Sequence, residues 1–454
     1  MLTLFHLAIV VALLSVLSLL VTQHIPLTAT QPGSALLQVL TADSSNLRNI
    51  TVVILNWSRF SNVKKITSNI CDHLLEDIVQ DIVIWNNNPQ QISLSDFSKT
   101  TCPEGKLSII NSSENLYFQA RYMACAQART PYCFIQDDDY LVLPEVIRAL
   151  AIRINEASLS SIHLQPADEM LSSQLRRIIV EPKVHMTFAW LGYGTIITRS
   201  SAIEFLSTLN KLQLSVEEHQ MADNYFTILS NKIPEQWFDP GIGLGGEQPF
   251  TVGTEGEARN NRHILRAAEF LDSIFTSSER YLDLPYVNNL PRSTDIEISR
   301  APCHGRLCIF ETSIELLPEI LGLDVSVSAA KEILEIEKNR LRTLGEARKA
   351  HYHGFPPSNA VDGRYETAFR SPENAKKDDW IMLSLARAVL AQCKNYPPSC
   401  YIRCISRWTY LGECIQAFYC VIIKSVMMVF LTANLDCPPE LDDCSWISFD
   451  WKGM

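Results

Sequence analysis

Three consecutive carboxylates, Asp137-Asp138-Asp139, follow the apolar run Tyr132-Cys133-Phe134-Ile135 with only Gln136 between. Carboxylates spaced i, i+2 at a strand end can hold a hard cation through oxygen ligands, so Asp137 and Asp139 are read as ligands of Mn²⁺ or Mg²⁺. Such an ion leaves positions open for phosphate oxygens and shields a departing diphosphate; the bland counterpart is a solvated acidic turn. Asp223, beside Asn224 at the start of a helical stretch, could act as base toward a hydroxyl or merely cap the helix. Arg259, Arg262 and His263 follow the glycine-rich stretch 241–246; His263, beside the two arginines, could close on a diphosphate or add a metal ligand, or the three form a solvated basic loop. Asn86-Asn87-Asn88 could read a nucleotide base through side-chain amides, or make an ordinary turn. Arg121 lies on the helix before the Asp triplet, within reach of a nucleotide, although a lone Arg is more often a surface residue. Trp190 and Trp237 could stack on a sugar face; such aromatics more commonly fill cores.

These groups need a frame. Thr51-Val52-Val53-Ile54-Leu55 is a β-branched apolar run stopped by Asn56, and Ile82-Val83-Ile84-Trp85 is a second run ending in the three Asn residues. Between them Val63, Ile66, Ile70 and Leu74 recur at helical spacing, which makes a βαβ unit and implies a parallel sheet with helices on both faces. Leu107–Ile110 predicts a third strand, residues 113–129 a helix, and Tyr132–Ile135 a fourth strand. In such sheets ligands bind beyond the carboxyl ends of the strands, where Asn56, the Asn loop and the Asp triplet all fall. Glu114–Ala120 reads like an engineered protease-cleavage tag, but its place inside a helical pattern marks it as native. Ala329–Lys349 predicts a charged amphipathic connector helix.

The chain of 454 residues carries 39 Lys plus Arg against 50 Asp plus Glu, a net charge of -11 that argues against a nucleic-acid partner. Residues 1–22 are apolar and read as a signal anchor, or as a cleaved signal peptide. Residues 23–48 suit a stem. Sequons stand at Asn49, Asn56 and Asn111, of which Asn56 is expected to be buried and free of glycan. Thirteen cysteines fit an oxidising compartment, and Cys303 with Cys308 form a candidate local pair.

Residues 49 to about 272 resemble a GT-A glycosyltransferase, closest to the exostosin-type C-terminal transferase domain. The resemblance rests on the Thr51–Asn56 strand with Trp57 and Arg59, the Ile82–Asn88 strand and loop, Phe134–Asp139, Gly192–Gly194 and Asp223-Asn224. It implies a UDP-linked donor, around which the candidate binding residues are Asn56, Arg59, Asn86, Asn87, Asn88, Arg121, Asp137, Asp138, Arg259, Arg262 and His263. It further implies that Asp139 binds the metal directly, that Asp137 faces the ribose or the metal shell, and that Asp223 falls near the catalytic carboxylate. Where that family often has two acidic residues, this chain has Asp223 then Asn224. A second resemblance, from Pro357 to about Leu385, is to the opening of a discoidin-type domain.

The expected organisation is therefore a targeting segment (1–22), a stem (23–48), an α/β GT-A domain (49–275), a linker with a helix (276–350) and a partly discoidin-like, Cys-rich region (351–454). The expected activity is transfer of a sugar from a nucleotide donor to a glycan or glycoprotein acceptor, as a type II membrane protein of the Golgi or endoplasmic reticulum or as a secreted form. The alternative is a catalytically inactive, carbohydrate-binding membrane protein that uses the discoidin-like region.

Overall fold

The structure is a computed structural model; it describes residues 48–246, 253–288, 298–318, 329–373, 375, 379–385, 418–423, 426–431 and 446–447. The segments 1–22 and 23–47, assigned to targeting and stem, lie outside the described residues. Among the described residues no helix is long and apolar enough to cross a membrane.

In chain order the elements are β1 (Ile50–Asn56), α1 (Phe60–His73), β2 (Val79–Asn86), β3 (Leu107–Asn111), α2 (Gln119–Gln127), β4 (Tyr132–Gln136), β5 (Tyr140–Leu141), α3 (Pro144–Glu156), β6 (Ser161–Gln165) and α4 (Ala167–Leu175). Then follow β7 (Ile178–Val180), β8 (Val184–Met186), β9 (Thr195–Thr198), α5 (Arg199–Lys211), α6 (Val216–Gln220), α7 (Asp223–Leu229), β10 (Glu235–Phe238), β11 (Ile242–Gly243), α8 (Thr254–Thr276) and α9 (Pro285–Asn288). Last come β12 (Ser299–Pro302), β13 (Cys308–Thr312), α10 (Ile333–Gly354), β14 (Phe369–Arg370), β15 (Trp380–Leu385), β16 (Phe418–Ile423), β17 (Val426–Leu431) and β18 (Trp446–Ile447).

One sheet of twelve strands organises them, in the order β16-β17-β15-β13-β12-β10-β6-β9-β4-β1-β2-β3. β3, β2, β1 and β4 are mutually parallel; β9 runs antiparallel between β4 and β6; β6, β10 and β12 are parallel again. β1 explains why both faces carry helices. Its alternate residues point to opposite sides, so Val53 joins a core with α2, α5, α7 and α8, while Val52 and Ile54 join one with α1 and α3. Each of these side chains is 0% exposed, and each such burial stabilises by about 1.5–3 kcal/mol. A charged side chain at Val53 would break the first core.

A third core joins α4, β13, β15 and α10, and includes Leu171, Leu175, Phe310, Leu344, Tyr352 and Leu383. β15, from the segment resembling a discoidin opening, hydrogen-bonds to β13 within the main sheet. The predicted connector helix is α10, broken at Gly345, where φ is 76°. The helix expected over 113–129 is shorter. Tyr117 adopts a left-handed φ of 46°, and the Asn87 amide binds the backbone of Leu116 and Tyr117, so 113–118 is a loop and α2 starts at Gln119. Disulfides join Cys71 to Cys102, Cys125 to Cys133, and Cys303 to Cys308.

Candidate active site

The ends of β1, β2 and β4, together with α2, α4, α7 and α8, line a cavity of about 550 Å³. Its floor is the Asp triplet. The three carboxylates are held differently because the chain turns sharply after β4. The Asp137 N–H donates to the Gly192 carbonyl (2.9 Å), and a Cβ on Gly192 would lie only 2.2 Å from Asp137 Oδ2. Glycine at 192 is therefore what lets that carboxylate sit against the β9 side of the floor.

Asp138 turns the other way and accepts a bond from Arg59 Nη1 (2.7 Å). Burial pushes its carboxyl above the ordinary range, against the pull of Arg59. Asp139 lies 3.6 Å from the same nitrogen, and its carbonyl accepts from the Leu244 N–H, so the glycine-rich segment crosses directly above it. Burial, then the neighbouring Asp137, push the Asp139 carboxyl up to about 6.

Arg121 is fully buried and links the floor to the far wall. Its Nη2 pairs with Asp137 Oδ1 at 2.6 Å and its Nη1 with Asp223 Oδ2 at 3.0 Å. The Tyr122 hydroxyl donates to Asp223 Oδ1 at 3.0 Å. Burial and Asp223 raise the Tyr122 phenol well above its ordinary value, so it remains a donor. Asp223 is 1% exposed and sits in the first turn of α7, yet its carboxylate faces Arg121 and Tyr122 and caps nothing. Burial drives its carboxyl up to about 7, opposed by Arg121 and reinforced by Asp137. Asn224 beside it is 0% exposed, and both atoms of its amide lack a hydrogen-bond partner.

Other predicted residues fare unevenly. Asn56 and Asn87 line the cavity. Asn86 does not: it is 0% exposed, and its amide is occupied by Asn56, Asn111 and the carbonyls of Asn88 and Gln90. It ties together the ends of β1, β2 and β3 and is unavailable to a ligand. Asn88 likewise donates to the Trp57 carbonyl. The sequon residue Asn56 is buried, as expected.

Arg259, Arg262 and His263 lie on α8 and not in a loop, and they occupy the wrong face. At 100° per residue, the face toward the cavity is Glu257, Asn260, Asn261 and Ile264. His263 instead packs on Tyr225 (Nδ1 to the hydroxyl, 2.8 Å), and exposed Arg262 pairs with Glu217 at 3.0 Å. Trp237 is core, 0% exposed, with its N–H on Glu235. Trp190 lines the cavity and donates to Glu169 Oε2 at 3.0 Å. Burial, then Asp168, push the Glu169 carboxyl up to about 7.

Glu169, Arg176, Tyr193 and the α8 asparagines are site residues that the sequence reading missed. The available signal was spacing: Glu169 and Arg176 stand seven apart after a strand end, and Glu257, Asn260, Asn261 and Ile264 follow the helical period.

Asp137, Asp138, Asp139, Glu169, Asp223 and Glu257 face the cavity against only Arg59, Arg121 and Arg176. Among the described residues no cluster of three or more His, Cys, Asp or Glu forms a self-sufficient metal cage. A hard cation that takes one or two carboxylates and completes its shell with phosphate oxygens and water needs no such cage. The crowded, partly exposed carboxylates of Asp137 and Asp139 fit that ion.

No protein-family model matches the sequence, and no curated protein matches it significantly. Among solved structures, the chain is similar to the mannosyltransferase PcManGT from Pyrobaculum calidifontis in complex with GDP-Man and Mn²⁺ (11% identity, TM-score 0.34, 55% of this chain and 76% of that one). It is similar also to S. aureus TarS in complex with UDP (15% identity, TM-score 0.31, 50% and 72%). A third is GalNAc-T7 with UDP, GalNAc and Mn²⁺ (13% identity, TM-score 0.31, 53% of each chain). Likenesses at this TM-score are too slight to bear on activity; the cavity's own geometry must do that.

Proposed function

We propose that the chain is a divalent-metal-dependent GT-A glycosyltransferase, moving a sugar from a UDP-linked donor to a glycan or glycoprotein acceptor in the secretory pathway. One observation carries this reading. Two carboxylates, Asp137 and Asp139, lie just past the end of β4, which pairs parallel with β1 and antiparallel with β9, and they floor a cavity whose opposite wall holds a third, Asp223, joined to the floor by a buried arginine. Residues 1–22 would anchor the chain as a type II membrane protein.

Asp137 and Asp139 would hold Mn²⁺ or Mg²⁺, which when bound neutralises charge on the diphosphate. The chain's own residues do the rest. Asn56, Asn87 and Arg59 bound the part of the cavity over β1 and β2, which would take the nucleoside. Asp223 takes the proton of the acceptor hydroxyl; with its carboxyl near 7 it is a competent base around neutrality. Tyr122 and Arg121 fix the direction of that carboxylate, and Arg121 keeps its distance from Asp137 constant.

The test is calorimetric binding of UDP, with and without Mn²⁺, to the wild type and to Asp139→Ala. Metal-dependent binding in the wild type, weakened more than about a hundredfold in the variant, is expected, since even second-shell changes cost 10–100-fold at metal sites. Failure of folded wild type to bind UDP in any metal would overturn the reading.

A further inference from the structure

The cavity has a second end. On the side of β4 away from Asn56 and Asn87 it is walled by α4, through Glu169 and Arg176, and by Trp190. The indole is fixed twice, by its N–H on Glu169 Oε2 (3.0 Å) and by edge packing on Phe188 (4.8 Å between ring centres). Arg176 is fixed twice as well. Its guanidinium carbon lies 5.2 Å from the centre of the Phe188 ring, and its Nε donates to Glu337 Oε2 at 2.7 Å. Its terminal nitrogens carry no hydrogen bond to another described residue, although the side chain is only 12% exposed.

Glu337 belongs to α10, the helix that the sequence presents as a connector. Three further polar contacts join α10 to the end of α4, besides the Arg176–Glu337 pair and the shared apolar core. Glu337 Oε1 accepts from Ser172 Oγ (2.5 Å), and Arg340 Nη1 donates to the carbonyls of Leu175 (3.2 Å) and Arg177 (2.7 Å). The Arg340 bonds satisfy backbone acceptors that the end of a helix otherwise leaves open. The Glu337 bonds do something different: they leave one edge of the Arg176 guanidinium tied and the other open to the cavity.

We propose that this end binds the acceptor sugar, and that Glu337 is a positioning residue which aims Arg176 at it; the acceptor role rests on the transferase reading above. An indole face matches the C–H face of a sugar ring, while a planar guanidinium and a carboxylate, each held in place, match neighbouring ring hydroxyls. Few polar groups fixed on a rigid wall are what orientation of a small ligand requires. Helix α10 is thus part of the site.

The test applies the full chain, its Arg176→Ala, Glu337→Gln and Glu337→Asp variants, and the double variant to an array of neutral and acidic oligosaccharides. UDP calorimetry with Mn²⁺ and melting temperature are measured on each. The wild type should capture a defined set of glycans. Arg176→Ala and Glu337→Gln should each weaken capture about tenfold or more, the scale of a lost charge-assisted hydrogen bond. Glu337→Asp should recover part of that loss, Glu337→Gln should add nothing once Arg176 is gone, and UDP binding should stay unchanged. Wild-type capture of no glycan, or undiminished capture by either single variant, would overturn the assignment, as would a further loss from Glu337→Gln in the Arg176→Ala background. Absence of UDP binding in the wild type is a separate result, which removes the transferase reading and not the glycan site.

Discussion

Two clusters of acids and arginines lie along the same sheet, and the fold treats them oppositely. Where α3, β10, β12 and β13 meet, Arg153 pairs with Glu235 (2.9 Å), Arg300 with Glu235 (3.2 Å) and Arg300 again with Glu311 (2.7 Å). Charges there match in number. Burial works against ionisation of Glu235, but Arg300 and Arg153 outweigh it and hold its carboxyl below the ordinary range. Around the large cavity carboxylates outnumber guanidiniums, and burial pushes Asp139 up to about 6 and Asp223 up to about 7. The first cluster is closed on itself; the second keeps an excess of carboxylate, which the proposed cation would balance. Both are buried, so charge balance is what distinguishes them.

The sharpest way to break this comparison is Asp223→Asn, which keeps shape and removes the base. Transfer should fall by about 10²–10⁴-fold while UDP binding persists. In the wild type the turnover rate should fall as pH drops below about 7, because the protonated carboxyl cannot accept a proton. A pH–rate profile, with the inflection absent from the variant, checks both.

Glu235→Ala should show the opposite division of effects. Removing one member of a buried, balanced network strands the others and costs about 3–5 kcal/mol of stability. Denaturant unfolding reads that loss, and UDP affinity of the remaining folded protein should be unchanged.

His163 sharpens the comparison by pH. It is 0% exposed, with Nδ1 on the Trp190 carbonyl (2.9 Å) and Nε2 on Ser161 Oγ (3.1 Å). Burial lowers its pKa to about 4, below the unfolded value of 6.5. The unfolded chain therefore takes up a proton that the folded chain refuses. The contribution is whole above pH 6.5 and is lost as pH falls toward 4, by up to about 3 kcal/mol. Unfolding midpoints between pH 7 and pH 4.5 should fall more steeply in the wild type than in His163→Gln.

The smallest effect belongs to Arg262→Ala. Its pair with Glu217 is exposed on both sides, so stability should shift by less than about 1 kcal/mol and UDP affinity not at all. A change in UDP affinity beyond about twofold would place this face of α8 in the site after all.

Much of the first half of the sheet was legible in the chain, because its signals are local. Apolar runs ending in Asn56, in Asn86 and in the Asp triplet became β1, β2 and β4, with the polar groups at one edge. The phase of α8 was not legible. Reading Arg259, Arg262 and His263 as a group that closes on a diphosphate ignored that one residue's shift turns a helical side chain by 100°, and the neutral Asn260 and Asn261 carry no charge to attract notice. Asn86 misled for another reason: an Asn at a strand end serves a ligand or its neighbours equally well by type, and only the bonds to Asn56 and Asn111 decide. Glu337 was out of reach altogether, since it meets Ser172 and Arg176 across more than 150 residues of chain.

The bond between Cys125 and Cys133 has a consequence for how the protein is made. The two cysteines are 8 residues apart in sequence, so the closed loop costs little chain entropy and can form as soon as both meet an oxidising environment. Strand β9, which later completes the pairing of β4, lies some sixty residues further on. The hairpin of α2 and β4 can therefore be locked during synthesis, before the strands on the β9 side of β4 have been made. Arg121 and Asp137 would then travel through the rest of biogenesis as one preassembled unit. A chain synthesised in a reducing cytosol would have to find that pairing last, by docking.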